Sequence, residues 1–382
     1  MQPLPRATAV LAEGIHRGLH LGAQVYVSRA GETVADFAIG EARAGTAMTR
    51  DSMVTWFSMT KPSVAVAVAQ QWERGRLELD DPVAKHVPEF AQNGKERITL
   101  RHLLTHTAGF RGGDQVVSSG NLDTYWEEVV AGICAVEPEE GWEPGTRAGY
   151  HLGCGMTMLA EVVRRVDGRP FEQYVRDEIF LPLGMDDCWV GMPPERHAEY
   201  GERIGTMHNT QGEAPVRLDV LDTADTLAKC IPGGGGRGPM HQLSRLYRAL
   251  LGRGELDGAR ILSPQAVEAI TARHRVGMFD ETMNAEIDWG LGLAVDTFAM
   301  GRYASRRAFG HGGALSSQAT ADPEHDLVLI LQTNGMCAND DHYQRLASFS
   351  SAVYVDLGLA AEDAVGRDKA MPHAELPVSV TG

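Results

Sequence analysis

The sequence predicts an α+β fold: one antiparallel sheet assembled from both chain ends, flanked by helices, with a mainly helical part inserted between them. Three observations lead there. Strand-like runs joined by a turn signal occur near the start, at residues 22–39. A second group of strand-like runs occupies residues 289–332. Helix-like patterns dominate the stretch between. One sheet drawn from both groups is the economical way to bury both apolar sets. The expected organisation is a single unit over residues 1–360. Its sheet part lies at about 1–60 and 285–360 and its helical part at about 61–284. A C-terminal tail, 361–382, is expected to be loosely ordered or laid on the surface.

The elements follow in order. Residues 6–20 read as an amphipathic helix, and 22–30 and 33–39 as strands joined at Ala30-Gly31-Glu32. Ser58 opens the next helix. The run Val64 to Ala69 is apolar all round, continues through Arg74 and stops at Gly75, a usual C-terminal stop, with Pro62 in the first turn. Residues 77–83 and 88–90 read as loop, and 98–109 as a short helix ending at glycine. Residues 110–145 show no clear period and suggest a pocket wall or lid. A turn-rich stretch, 142–150, leads into a helix at 152–166, and another helix spans 171–180. Residues 186–230 are irregular. The glycine cluster 232–238 reads as a conformationally demanding turn. No clear strand precedes it and no Lys-Ser/Thr follows, so a phosphate loop is disfavoured. Helices at 240–252 and 264–272 precede strands at 289–295, 307–313, 316–322 and 326–332, and a helix at 341–357 closes the fold.

Composition narrows the function classes. The 382 residues are 43% hydrophobic and 23% charged, as in ordinary globular proteins. A formal charge of −16 argues against nucleic acid and anionic membranes as partners. Cys134, Cys154, Cys188, Cys230 and Cys337 include no CxxC pair and read as scattered reduced thiols. No basic segment followed by an apolar core stands at the start, and no run is long enough to span a membrane. The expectation is a cytoplasmic protein. His102 and His106 are four apart, a metal-binding spacing, but no third ligand and no HExxH accompany them. Packing or hydrogen bonding to a loop is preferred, with no metal and no cofactor.

Ser58 and Lys61 share one helical face at i and i+3. A serine hydroxyl needs a nearby base or cation to become a nucleophile, and a lysine in a dry pocket has a lowered pKa. The helix start adds free N–H groups that favour developing negative charge.

Ser58-Met-Thr-Lys61 resembles the SxxK motif of serine β-lactamases, penicillin-binding proteins and family VIII carboxylesterases. Leu103-Leu-Thr-His-Thr-Ala-Gly109 is similar to their LLTHTSG signature, and Pro144-Gly-Thr-Arg-Ala-Gly-Tyr150 to the segment carrying the catalytic tyrosine. Phe309-Gly-His-Gly-Gly-Ala314 resembles the third motif, and 256–263 a segment of the class C-like branch. Order and spacing match over roughly residues 5–357. The resemblance implies a β-lactamase/transpeptidase-like fold and catalytic residues Ser58, Lys61 and Tyr150. Ser58 would attack a carbonyl, with Lys61 as an ammonium lowering the phenol pKa and Tyr150 as general base and later acid. Backbone N–H groups of Ser58 and Ala314 would hold the oxyanion. His311, Gly312, Gly313 and His151 are expected at the substrate.

Two departures redirect the substrate. Leu152 stands where the family has the asparagine of Y-x-N, and His311 where β-lactamases and peptidases have lysine. Loss of an amide and of a permanent cation argues against lactams and D-Ala-D-Ala peptides. His311 is read as a substrate or Tyr150 contact, or as a plain strand residue. The expected substrate is a small-molecule ester or acyl compound. A carboxylesterase for small or medium acyl esters leads. An acyltransferase to a metabolite alcohol or amine is the alternative, followed by a β-lactamase or D-aminopeptidase, or a non-catalytic binding protein. The sequence leaves the oligomeric state open.

Overall fold

The computed structural model describes residues 4–117 and 125–373. An eight-stranded antiparallel sheet runs through its centre. The order is Asp288–Trp289, Ala294–Val295, Phe309–Gly313, Ser317–Asp322, Leu327–Thr333, Gly22–Arg29, Glu32–Arg43, Thr46–Ala47. The two chain ends meet in the middle, with Ala23 opposite Thr333 and Arg29 opposite Leu327. This seam explains why residues 327–331 are apolar without alternation: both faces of the strand are covered. Val25, Val27, Leu327, Leu329 and Leu331 pack under the terminal helices Pro5–His16 and Asn339–Asp356. Tyr26, Val328 and Ile330 face the opposite core, shared with the helices Lys61–Glu73 and Met240–Leu251.

The helix that follows Ser58 is central. Residues Lys61 to Gln71 are all buried. It contacts Cys154–Asp167, Pro264–Thr271 and Phe171–Val175. Burial on every side is what an all-round apolar helix requires. Its first turn is a tighter one: Phe57–Thr60 is a 3-10 turn and the α-helix proper begins at Lys61.

Several expectations change. The run 289–295 is two short strands folded back on each other, with Trp289 opposite Ala294, rather than one strand. Gly292 sits at φ +78 in that reversal, and a tight hairpin shows the same alternation as a straight strand. The stretch 110–145 holds a helix, Tyr125–Ala135, whose buried face carries Tyr125, Val129, Val130 and Ile133; positions 118–124 of that stretch lie outside the described residues. The expected loops after residue 77 contain helical turns, Val83–His86 and Pro88–Gly94. The glycine cluster is not only a turn. Gly236–Gly238 is the middle strand of a small sheet between Val54–Thr55 and Trp189–Val190. A Cβ on Gly236 would stand 2.5 Å from Thr60 Oγ1 and from Trp56, so only glycine lets this strand lie against the Ser58 segment. The tail is not loose where it is described: Arg367 and Lys369 pair with Asp296. Among the described residues no helix is long and apolar enough to cross a membrane.

Candidate active site

The site is built where the central helix begins. Phe57 has φ +48, a left-handed conformation uncommon for a bulky residue, and it opens the 3-10 turn in which half-buried Ser58 is the second residue. Two contacts fix this turn from the glycine strand. Trp56 N donates to Gly236 O at 2.8 Å, and Gly236 N donates to Thr60 Oγ1 at 2.8 Å.

Lys61 lies one turn on and is fully buried. Its Nζ has three oxygen neighbours: Ser58 Oγ at 2.8 Å, Leu152 O at 2.7 Å and Gly233 O at 2.7 Å. Gly233 can come this close because it has no side chain; a Cβ there would stand 2.6 Å from Gly153 Cα. Burial lowers the Lys61 pKa from 10.5 to about 7, with Asp114 opposing the shift. An ammonium would satisfy all three oxygens. A neutral amine would donate to the two carbonyls and turn its lone pair to the Ser58 hydroxyl.

Tyr150 arrives on the loop before the helix Cys154–Asp167 and is buried. Its ring centroid is 4.9 Å from Lys61 Nζ, and Tyr150 and Ser58 line the same cavity. Burial raises the phenol pKa above its usual 10.0, with Ser58 pulling the other way. Two carboxylates hold the loop. Asp280 Oδ1 accepts from the backbone N–H of Tyr150, Thr282 and Met283, each at 3.0 Å. Its other oxygen pairs with buried Arg275 at 3.0 Å. Asp114 accepts from the N–H groups of Leu152, Gly153 and Cys154 at 2.7, 2.8 and 2.8 Å. That carboxylate stands at a helix N-terminus and orients the Leu152 carbonyl toward Lys61.

Rings crowd the far side of Tyr150. His106, Trp289 and His311 have centroids 4.5, 5.8 and 6.0 Å from it. His311 Nδ1 donates to Gly312 O at 2.7 Å, which leaves Nε2 as the acceptor nitrogen. Burial, with Lys61 adding to it, lowers the His311 pKa to about 3. Burial also holds His106 and His151 below their usual range. All three imidazoles are neutral at pH 7.

Ser58, Tyr150, His311, Gly312, Gly313 and Ala314 line one cavity of about 100 Å³. Its other walls include Leu152, Met283, Ile287, Trp289, Leu315 and Leu346, and among the described residues no acidic residue, lysine or arginine lines it. Gly313 brings the strand close: a Cβ there would stand 2.4 Å from Trp56 O.

The sequence-predicted residues therefore converge, with two exceptions. Lys61 sits beneath the cavity, behind Ser58. His151 does not line the cavity. It is buried against Phe110, at 4.9 Å between rings, with Nε2 3.5 Å from Phe110 N. The His102 and His106 rings serve the backbone: Thr99 N donates to His102 Nδ1, and His151 N donates to His106 Nδ1. Among the described residues no cluster of three or more His, Cys, Asp or Glu could hold a metal. Sequence reasoning missed Asp114, Asp280, Arg275 and Gly233. Asp114, Asp280 and Arg275 stand in stretches without period or motif, and Gly233 lies in a glycine cluster whose demanding turn was legible but whose contact with Lys61 was not.

Comparison with known proteins agrees with this fold. The family model described as Beta-lactamase matches residues 7–349. Esterase EstB of Burkholderia gladioli is 32% identical over 265 residues, covering 63% of this chain and 62% of that protein. A penicillin-binding protein homologue from Caulobacter crescentus superposes with a TM-score of 0.78 at 28% identity, covering 93% of this chain and 98% of that one. A family VIII carboxylesterase gives a TM-score of 0.78 at 26% identity, with 92% and 97% covered. With the sheet, the central helix and the three motifs in one arrangement, the chain belongs to the beta-lactamase family.

Proposed function

We propose that the protein is a serine hydrolase that cleaves neutral carboxylic esters through an acyl-enzyme on Ser58. One observation carries the reading: the Ser58 hydroxyl stands 2.8 Å from a buried lysine whose pKa is lowered to about 7, in the lining of a cavity whose described walls bear no charge. Neutral Lys61, held by the Leu152 and Gly233 carbonyls, takes the proton as Ser58 Oγ attacks the ester carbonyl. The phenol of Tyr150, protonated at neutral pH, faces the same cavity as Ser58 and gives its proton to the departing alkoxide. Lys61 then returns a proton to Tyr150. This division of labour differs from a permanent ammonium beside a phenolate, because burial disfavours both charges. The N–H groups of Ser58 and Ala314 would receive the oxyanion, each worth ~3–4 kcal/mol in related sites. Water then attacks the acyl-enzyme with the same groups in reverse.

Charge selects the substrate. Neutral His311 offers no cation for a carboxylate, and Leu152 offers no amide, which disfavours lactams and peptides with a free terminus. All five cysteines are buried and unpaired, which suits a reducing compartment such as the cytoplasm.

A fluorophosphonate probe followed by mass mapping tests the reading. The expected adduct is on Ser58, with hydrolysis of p-nitrophenyl acetate and little cleavage of nitrocefin. No adduct on Ser58, or equal labelling of Ser58→Ala, overturns it. Product analysis with added alcohol separates hydrolysis from acyl transfer.

A further inference from the structure

The cavity lined by Ser58 also reaches residues outside the sheet. Tyr343 and Leu346 of the last helix and Pro372 of the C-terminal segment are part of its lining. Ile287, Thr297 and Pro372 also line a second cleft on the outer surface, which is rimmed by Arg273, Arg306 and Asp296. Pro372 thus borders both an apolar cavity and a charged outer cleft.

The segment around Pro372 is pinned in place. Asn339 Nδ2 donates to Pro372 O at 2.8 Å, and His373 N donates to Met283 O at 3.0 Å. Lys369 Nζ reaches Asp296 at 2.8 Å, and the same carboxylate takes Arg367. The Lys369 and Asp296 side chains are 8% and 14% exposed, so the pair is partly desolvated and stronger than a surface ion pair. Met371 packs on the core beneath the terminal helices. An irregular segment with this many anchors holds one conformation, and buried Pro372 adds its own stiffness.

From this we infer that the C-terminal segment 367–373 is the end wall of the substrate cavity, and that Pro372 sets how long an apolar arm the bound ester carries. This rests on the acyl-enzyme reading of Ser58. The occupant is an uncharged aliphatic or aromatic group, because the walls between Ser58 and Pro372 bear no charge and each buried methylene favours binding. A longer arm meets Pro372 and must displace a segment held by the Asn339 bond and the Asp296 pairs.

The test uses the full-length chain carrying Pro372→Gly or Pro372→Trp. Neither change touches Ser58, Lys61 or Tyr150. kcat/KM is measured over p-nitrophenyl esters of increasing acyl length, and over acetate esters of increasing alcohol length. In one of the two series Pro372→Gly should move the optimum to longer arms. Its gain on the longest ester should be about tenfold, the equivalent of roughly two newly buried methylenes. Pro372→Trp should move the optimum to shorter arms in the same series. The series that responds identifies which arm occupies the cavity. Unchanged length profiles in both series, with fluorophosphonate labelling of Ser58 and melting temperature intact, overturn the end-wall assignment alone. Wild-type protein that takes no label on Ser58 overturns the acyl-enzyme reading beneath it.

Discussion

Replacing Lys61 with methionine should flatten the pH dependence of stability near neutrality. In the unfolded chain the amine holds its proton up to about 10.5, and in the folded protein only up to about 7. Between those values unfolding takes up a proton, so raising the pH favours the folded state. Below pH 7 the full penalty on the buried ammonium applies, roughly 5 kcal/mol for a lowering of that size. It fades as pH rises toward 10.5. Between about pH 6 and pH 8.5 the wild type should therefore gain about 2 kcal/mol relative to Lys61→Met. The other titrations are common to both proteins and cancel in the difference. The variant loses the donor to Leu152 O and Gly233 O, at ~1–3 kcal/mol for each buried acceptor left unpaired. Absolute stabilities at one pH will thus lie close together, and the slope is the diagnostic. Urea unfolding of both proteins across this range measures it. Parallel curves would show that Lys61 remains an ammonium throughout, and its role as proton acceptor would fall.

Other expectations concern turnover and packing. Tyr150→Phe should lower kcat on p-nitrophenyl acetate at least ~100-fold with the melting temperature nearly kept, since the hydroxyl it removes supplies the acid step. Near-normal kcat in that variant would remove Tyr150 from the reaction. Wild-type kcat/KM should rise with pH through a single deprotonation near 7, and Asp114→Asn should move that limb to lower pH because the Asp114 charge holds the Lys61 pKa up. An unmoved limb would place the titration elsewhere. Gly233→Ala should destabilise by ~1–3 kcal/mol and depress activity, because the added Cβ meets Gly153 Cα at 2.6 Å and pushes the carbonyl off Lys61. An unchanged melting temperature would count against that packing.

What could be read from sequence followed from local repetition. The all-round apolar run after Lys61 announces a buried helix because its residues have no polar face to give to water. The apolar run at 326–332 reads as a strand, and the structure places it in the middle of the sheet, where both faces are covered. The sequence also placed Ser58 and Lys61 on one face, since i, i+3 spacing is a property of the helix alone. The helix at Tyr125–Ala135 escaped notice because acids and aromatics blur its short apolar stripe, and the pair of strands in 289–295 escaped because a hairpin and a strand share one alternation.

Chemistry at the site was decided by the tertiary structure. Whether Lys61 is a cation or a base depends on burial and on two carbonyls from residues 152 and 233, both remote in sequence. The carboxylates that set the Tyr150 loop come from residues 114 and 280. Pro372, from a tail expected to be loosely ordered or laid on the surface, joins the lining of the cavity. The order of residues by itself determined which groups were present and which neighbours shared a face. Desolvation and the convergence of distant segments, which exist only once the chain is packed, determined what those groups can do.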